Sequence, residues 1–439
     1  MNKFFKEIKI ITLFTVGLFI LLLVHEPGFG QDKKTIPDSL RFVKQVDIFD
    51  LIRKWTGKPA KLSADSVQIG VKNLSLLPIV GYSPANGFVL GAAISVTKLL
   101  GNPRTTQLSS ALLNASFTTK KQILLNLRFD VFMPDNKWAI SGDNRLLFFA
   151  QPTYGLGIYG LQGQAYSFGL NGSSVVRTDS EQPMRFNYIR LYETVSRRIV
   201  GKWYAGVGLM IDYNFNIKDQ SLKLDTPNQY LTSHYIYSNA YGFDTAHYSV
   251  NGLSFQIIHD SRDNPVNAFS GNYLNLAFRV NEVAFGSTQN STMLYYEWRN
   301  YIGVSKRIPR NVIAFWFWGV LVTSGKVPYL ALPAITWDTY NRSGRGYIQG
   351  RFRGNDMIYE EAEFRYRITT DGLLGGVIFT NLTTASNSLT GQKVFNSVAP
   401  GYGFGLRIKM NKKDRTNIAV DYGIGDGFTG IYFNIREAF

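Results

Sequence analysis

The sequence predicts an all-β fold, a transmembrane antiparallel β-barrel of about 16 strands with a short N-terminal extension, from three observations. Apolar and polar residues alternate with a period of two in segments spread over some three hundred residues. No run of eighteen apolar residues follows position 30, so the mature chain has no candidate spanning helix. The chain also ends on an alternating aromatic segment. A strand that crosses a bilayer must belong to a closed barrel, because lipid offers unpaired backbone groups no partners.

The ending sets the pattern. Ile431, Phe433, Ile435 and Phe439 are apolar at alternate positions, interrupted by Glu437, and Tyr432, Asn434 and Arg436 lie between them. One face suits lipid and the other a wet interior, the dyad signature of a spanning strand. The competing reading is an edge strand of a soluble sheet. We place the closing strand at 429–439, with Phe433, Ile435 and Phe439 on its apolar face.

The other end carries an address. Lys3, Lys6 and Lys9 precede an apolar run from Ile10 to Val24, and Gly28 and Gly30 occupy the −3 and −1 positions before Gln31. Residues 1–30 therefore read as a secretory signal peptide; the run is short for a retained anchor. Residues 31–76 form a short periplasmic extension. Within it Val46, Phe49, Ile52 and Trp55 recur at three-residue steps, stopped by Gly57 and Pro59. That stripe predicts an amphipathic helix, periplasmic or plugging the lumen, with a linker of chance pattern as the alternative.

From residue 77 to 439 the period is two. Ile123 to Val131, Trp203 to Phe215, Leu274 to Val280 and Ile418 to Ile424 alternate cleanly, and four such segments are strong support for strands. Sixteen strands are expected between 88 and 439, with 158–183 the hardest stretch to place. Short links fall at 119–121, 199–203, 306–311, 369–373 and 411–415, and long ones at 217–245, 326–356 and 387–397. Short periplasmic turns and long external loops are how outer-membrane barrels are built.

Composition narrows the function. The formal charge is +16, or +15 without the signal segment's three lysines and two glutamates. Lys and Arg are scattered along strands rather than clustered on one face, which argues against nucleic acid as a partner and leaves a basic lumen or contact with outer-membrane lipid and lipopolysaccharide. The absence of Cys removes thiol chemistry and disulfides. Asp260 and Asp263 make a poor metal site and read as a turn held by Asx and Arg contacts. His259-Asp260-Ser261 has the outline of a lipid-hydrolase motif but lacks evident oxyanion donors. We expect no enzyme activity, no metal and no cofactor.

Three segments suggest a family. Gly344-Arg345-Gly346-Tyr347, then Gly350-Arg351-Phe352-Arg353-Gly354, precede a strand reading Tyr359 to Arg367. Upstream, Asp260 to Pro265 leads to Ser270-Gly271, and Leu77-Pro78 with Gly81-Tyr82-Ser83-Pro84 come before the expected first strand. With the Phe433-Asn434-Ile435 ending, these resemble the barrel domain of the bacterial surface-antigen superfamily, which includes BamA, TamA and two-partner secretion pores. The resemblance implies that the sixth external loop folds into the lumen and docks its Arg345-Gly346-Tyr347 tip on the wall. Independently of it, Glu361, Glu363, Arg365 and Arg367 share one face of their strand. A charged face must look inward, where carboxylates can take a guanidinium bidentately. The alternative is an Arg-rich surface loop on lipopolysaccharide.

Two departures stand out. Where the family carries an acidic residue on the next strand, this chain has Asn381, which turns that arm of the docking contact into a neutral hydrogen bond or removes it. The forty-six residues from 31 to 76 are also too few for a POTRA domain, so the resemblance is to a member without that arm. It implies assembly or insertion of outer-membrane proteins, or translocation, on unfolded barrel clients or with a separate periplasmic partner. The seam would lie between a first strand near Phe88 to Leu99 and the last, where parting edges template an incoming strand. The alternative is a passive outer-membrane channel with a basic lumen.

Overall fold

The computed structural model describes residues 45–57, 70, 72–158, 181–225, 230–305, 310–412 and 415–439. The signal segment and much of 158–183 lie outside the described residues. The remainder forms one sixteen-stranded sheet in chain order, every neighbour antiparallel. The strands are β1 (Lys72–Ser83), β2 (Gly87–Lys98), β3 (Ser109–Thr118), β4 (Ile123–Phe132), β5 (Trp138–Thr153), β6 (Gln182–Val200), β7 (Trp203–Asp219), β8 (Tyr248–Asp260), β9 (Gly271–Asn281), β10 (Ser291–Gly303), β11 (Val312–Gly325), β12 (Asp356–Arg367), β13 (Leu374–Ala385), β14 (Ala399–Asn411), β15 (Thr416–Gly425) and β16 (Phe428–Ile435). Two short helices accompany them, α1 (Ile48–Trp55) and α2 (Ser233–Tyr241).

The alternation reaches the burial pattern directly. Along β12, Met357, Tyr359, Glu361, Glu363 and Arg365 are buried, while Glu360 and Phe364 are exposed. Elsewhere the outward set is apolar and open: Val80 is 71% exposed, Phe88 67% and Phe117 65%. A soluble protein would not leave such a band uncovered; on a barrel it faces lipid. No helix among the described residues is long and apolar enough to cross a membrane. The chain is an outer-membrane β-barrel.

Links at one end, which also holds both ends of the sheet, run from two to ten residues, while the opposite end carries 154–181, 220–247 and 326–355. The short-link end is accordingly periplasmic. Three sequence expectations change. The first strand is β1, so 72–76, read as extension, joins the barrel, 77–83 is strand rather than lead-in, and the segment from Phe88 falls in the second strand; Pro78 and Gly81 obscured it, yet β1 pairs with β2 over its whole length. The tight link at 119–122 sits at the long-loop end, because loop length there varies. The closing strand stops at Ile435. Arg436 adopts φ 80° and the chain turns inward, since Glu437 cannot face lipid and instead pairs with Arg407 at 2.7 Å.

The lumen is packed at its centre. Residues 326–355 fold into it, and Ile335, Tyr347 and Phe352 join Trp316, Tyr359 and Phe439 in one apolar cluster. Phe439 stacks on Trp316 with ring centroids 5.2 Å apart, so the terminal aromatic is a lumen residue and not part of the lipid face. Above this plug α2 adds Tyr237 to a second cluster with Tyr329 and Phe243.

Candidate functional site: a loop tip docked on the lumen wall

Period-two geometry puts Glu361 and Glu363 of β12, Phe379 and Asn381 of β13, and Asp421 of β15 on the inner wall. Into this patch the loop lowers Arg345, which is 2% exposed. Its guanidinium pairs with Glu361 and Glu363 and with Asp421 at 2.9 Å, lying 3.6 Å from the ring centroid of Phe379. The carboxylates are themselves held: Tyr359 donates to Glu361, Arg365 pairs with Glu363 at 2.6 Å, and Arg407 pairs with Asp421. A buried charge survives only when paired and hydrogen-bonded, and this network meets that condition.

Backbone contacts finish the dock. Gly346 has φ 107°, and a Cβ there would lie 2.7 Å from the Ile424 carbonyl. Its N–H donates to the Tyr432 hydroxyl at 3.0 Å, and that hydroxyl donates to the Tyr347 carbonyl at 2.8 Å. The Tyr347 hydroxyl donates to the Pro400 carbonyl at 2.5 Å and accepts from the Asp426 N–H at 3.0 Å. Gly423 and Gly425 form the receiving floor: a side chain on either would collide with Gly346. The tip thus binds strands β12 to β16 at once.

The remaining expected residues divide. Asn381 donates to the Arg345 carbonyl at 2.9 Å, a neutral contact where an acid would have met the guanidinium. The acidic partner is Asp421, two strands along, which the sequence reading missed. Its signal was present in the alternation of Asn417, Asp421 and Gly423, which faced a charged residue inward without showing what it would meet. Arg353 is buried, but its partners are the carbonyls of Tyr329, Leu330 and Leu332 at 3.0–3.1 Å, so it braces the loop from within. Arg351 lies 4.5 Å over the Tyr154 ring. Arg365 serves Glu363 and donates to the Phe439 carbonyl at 3.1 Å. Arg342, also missed, donates to the carbonyls of Ile435 and Glu437. The loop therefore grips the end of the last strand as well as the wall.

The seam is the second part of the site. β1 and β16 lie side by side, yet among the described residues no ladder joins them. A Cβ built on Gly81 would be 3.3 Å from that of Phe433, and one on Gly430 3.0 Å from Pro84 Cγ. Continuing that antiparallel offset, β16 ends opposite residue 79, and 72–78 of β1 run past it.

Elsewhere, Arg262 pairs with Asp260 at 2.8 Å, and Asp263 accepts from the Phe269 N–H at 2.8 Å, which makes 261–270 a braced turn. His259 stands against Trp203, 4.8 Å between centroids, while Ser261 bonds Asn272; the three motif residues do not converge. The chamber beside the plug is lined by Arg128, Arg190, Arg279 and Arg299 and by Asp130, Asp143, Asp212, Glu297 and Asp338. The carboxylates outnumber the arginines by one, so the basic excess of the sequence is not concentrated there.

No protein-family profile and no curated protein matches the chain. Among solved structures, BamA from Haemophilus ducreyi lacking POTRA domains 1–3 aligns over 84% of this chain and 70% of its own, with 13% identity and a TM-score of 0.53. CdiB from Acinetobacter baumannii aligns over 84% and 66% at 11% identity, TM-score 0.45. CdiB from Escherichia coli aligns over 84% and 68% at 8% identity, TM-score 0.49. Fold and site together define a sixteen-stranded outer-membrane barrel whose lumen is occupied by its own arginine-tipped loop. Its fold is that of the BamA barrel.

Proposed function

We propose that this chain is a member of the surface-antigen superfamily that assists assembly of outer-membrane proteins or moves polypeptide across the membrane. The observation that carries the reading is the unladdered seam. An exposed strand edge is a template for another strand, and β-augmentation through the 72–78 edge of β1 would seat an incoming segment by main-chain hydrogen bonds. The docked tip and the Arg342 contacts stiffen the β12–β16 side, so the parting motion falls to β1. A passive basic channel has less support, since the loop fills the lumen and the lined chamber carries no basic excess. Depleting the protein and quantifying the outer-membrane proteome tests the proposal. Loss of several other barrels or of one exported polypeptide is expected, and an unchanged proteome and secretome would refute it.

A further inference from the structure

Helix α1 is docked in an unusual sense. Its polar side faces the protein: Asp50 bonds Lys412 at 2.8 Å, Asp47 and Asp50 form a reciprocal capping box, and the Val46 N–H donates to the Asp371 carbonyl at 3.3 Å. Its apolar side faces away. Trp55 is 91% exposed, and Phe49, Leu51 and Ile52 are all exposed too. At 100° per residue the five apolar side chains from Ile48 to Trp55 occupy one continuous arc, with Asp50, Arg53 and Lys54 opposite. Amphipathic helices of soluble proteins bury the apolar arc, and this one presents it.

The anchoring points say what covers that arc. Asp371 lies in the β12–β13 turn and Lys412 in the β14–β15 turn, at the periplasmic rim. The strands joined by these turns carry Phe364, Ile378 and Leu406 exposed on the lipid side, and Ile368 is exposed in the β12–β13 turn itself. The helix is therefore hung at the level where the barrel's lipid-facing wall ends, with an aromatic tip of the kind that settles at membrane interfaces and Arg53 and Lys54 placed for phosphate headgroups. We propose that α1 is an interfacial helix whose Phe49, Leu51, Ile52 and Trp55 insert into the periplasmic leaflet of the outer membrane, fixing the depth and tilt of the β12–β15 side of the barrel.

Because the chain has no Cys, single labels test this cleanly. Trp55→Cys, within the apolar arc, and Lys54→Cys, about 100° round on the polar face, are labelled with bimane in the full chain and placed in nanodiscs of phosphatidylethanolamine and phosphatidylglycerol. With doxyl-labelled lipid included, the probe at 55 should lose most of its fluorescence and the probe at 54 little. Aqueous iodide should give the reverse order. Trp55 is solvent-open, so its replacement leaves the fold intact, and heat-modifiability on gels verifies that. Equal quenching of both positions by iodide, with none by doxyl lipid at 55, would overturn the proposal and assign the arc to a periplasmic partner.

Discussion

Removing the Arg345 guanidinium has a consequence that can be worked through the network. In Arg345→Ala, Asp421 keeps Arg407 and Glu363 keeps Arg365. Glu361 keeps only the Tyr359 hydroxyl. One buried carboxylate is thereby stranded, and losing one partner of a buried pair costs about 3–5 kcal/mol. The loop should leave the wall in response, since hydrating Glu361 requires vacating its site. Glu361→Gln in the Arg345→Ala background removes the stranded charge and should return roughly 1–3 kcal/mol, a non-additivity of the size expected for contacting residues. The assay is a four-member set in lipid, read by urea unfolding and by protease cleavage within 326–355. Cleavage of the loop should rise sharply in the single Arg345 variant and fall again in the double variant. An Arg345→Ala protein as resistant and as stable as wild type would refute the reasoning, as would a double variant no better than the single.

Other predictions follow from the same geometry. Gly346→Ala forces a side chain towards the Ile424 carbonyl at a φ that L residues avoid, which should cost about 1–3 kcal/mol and expose the loop to protease without removing a charge. Asn381→Asp restores an acid to the position where the resemblance expects one, yet it sets a carboxylate against the Arg345 carbonyl that now accepts from Asn381. It should loosen the tip, again read by cleavage, and a tighter loop would contradict that. Asp50 has its pKa lowered: burial pushes it up, but the hydrogen bond from Lys412, the Asp47 N–H and nearby cations outweigh that. A lowered folded value means the contact contributes fully above the ordinary carboxylate range, weakens below about pH 4 and is lost as pH falls through the lowered folded value, so α1 should detach in that acid range, seen as faster proteolysis near residue 57.

The strands were legible because period two leaves its mark wherever one face meets lipid and the other water. Ile123 to Val131 and Trp203 to Phe215 needed nothing further. β1 was hidden because Pro78 and Gly81 resemble a lead-in, and the sequence cannot show that Leu74, Leu76 and Val80 face lipid until β2 is beside them. The docking of Arg345 could be anticipated from the Glu361 and Glu363 face one element away. Asp421 and Arg342 could not, since their partners lie 76 and 93–95 residues away and register across four strands decides the meeting. Phe439 misled for a related reason: alternation continued to the last residue, but the Glu437–Arg407 pair outweighs one more strand step.

The measurement closest to the central proposal is a reversible lock on the seam. Gly81→Cys with Phe433→Cys places the two Cβ atoms near 3.3 Å, close to the spacing of about 3.5–4.5 Å that a disulfide takes, and the chain contributes no other thiol. In proteoliposomes the oxidised protein should fail to speed insertion of an unfolded barrel client, and reductant should restore it. Full activity with the seam quantitatively oxidised would show that β1 and β16 need not part.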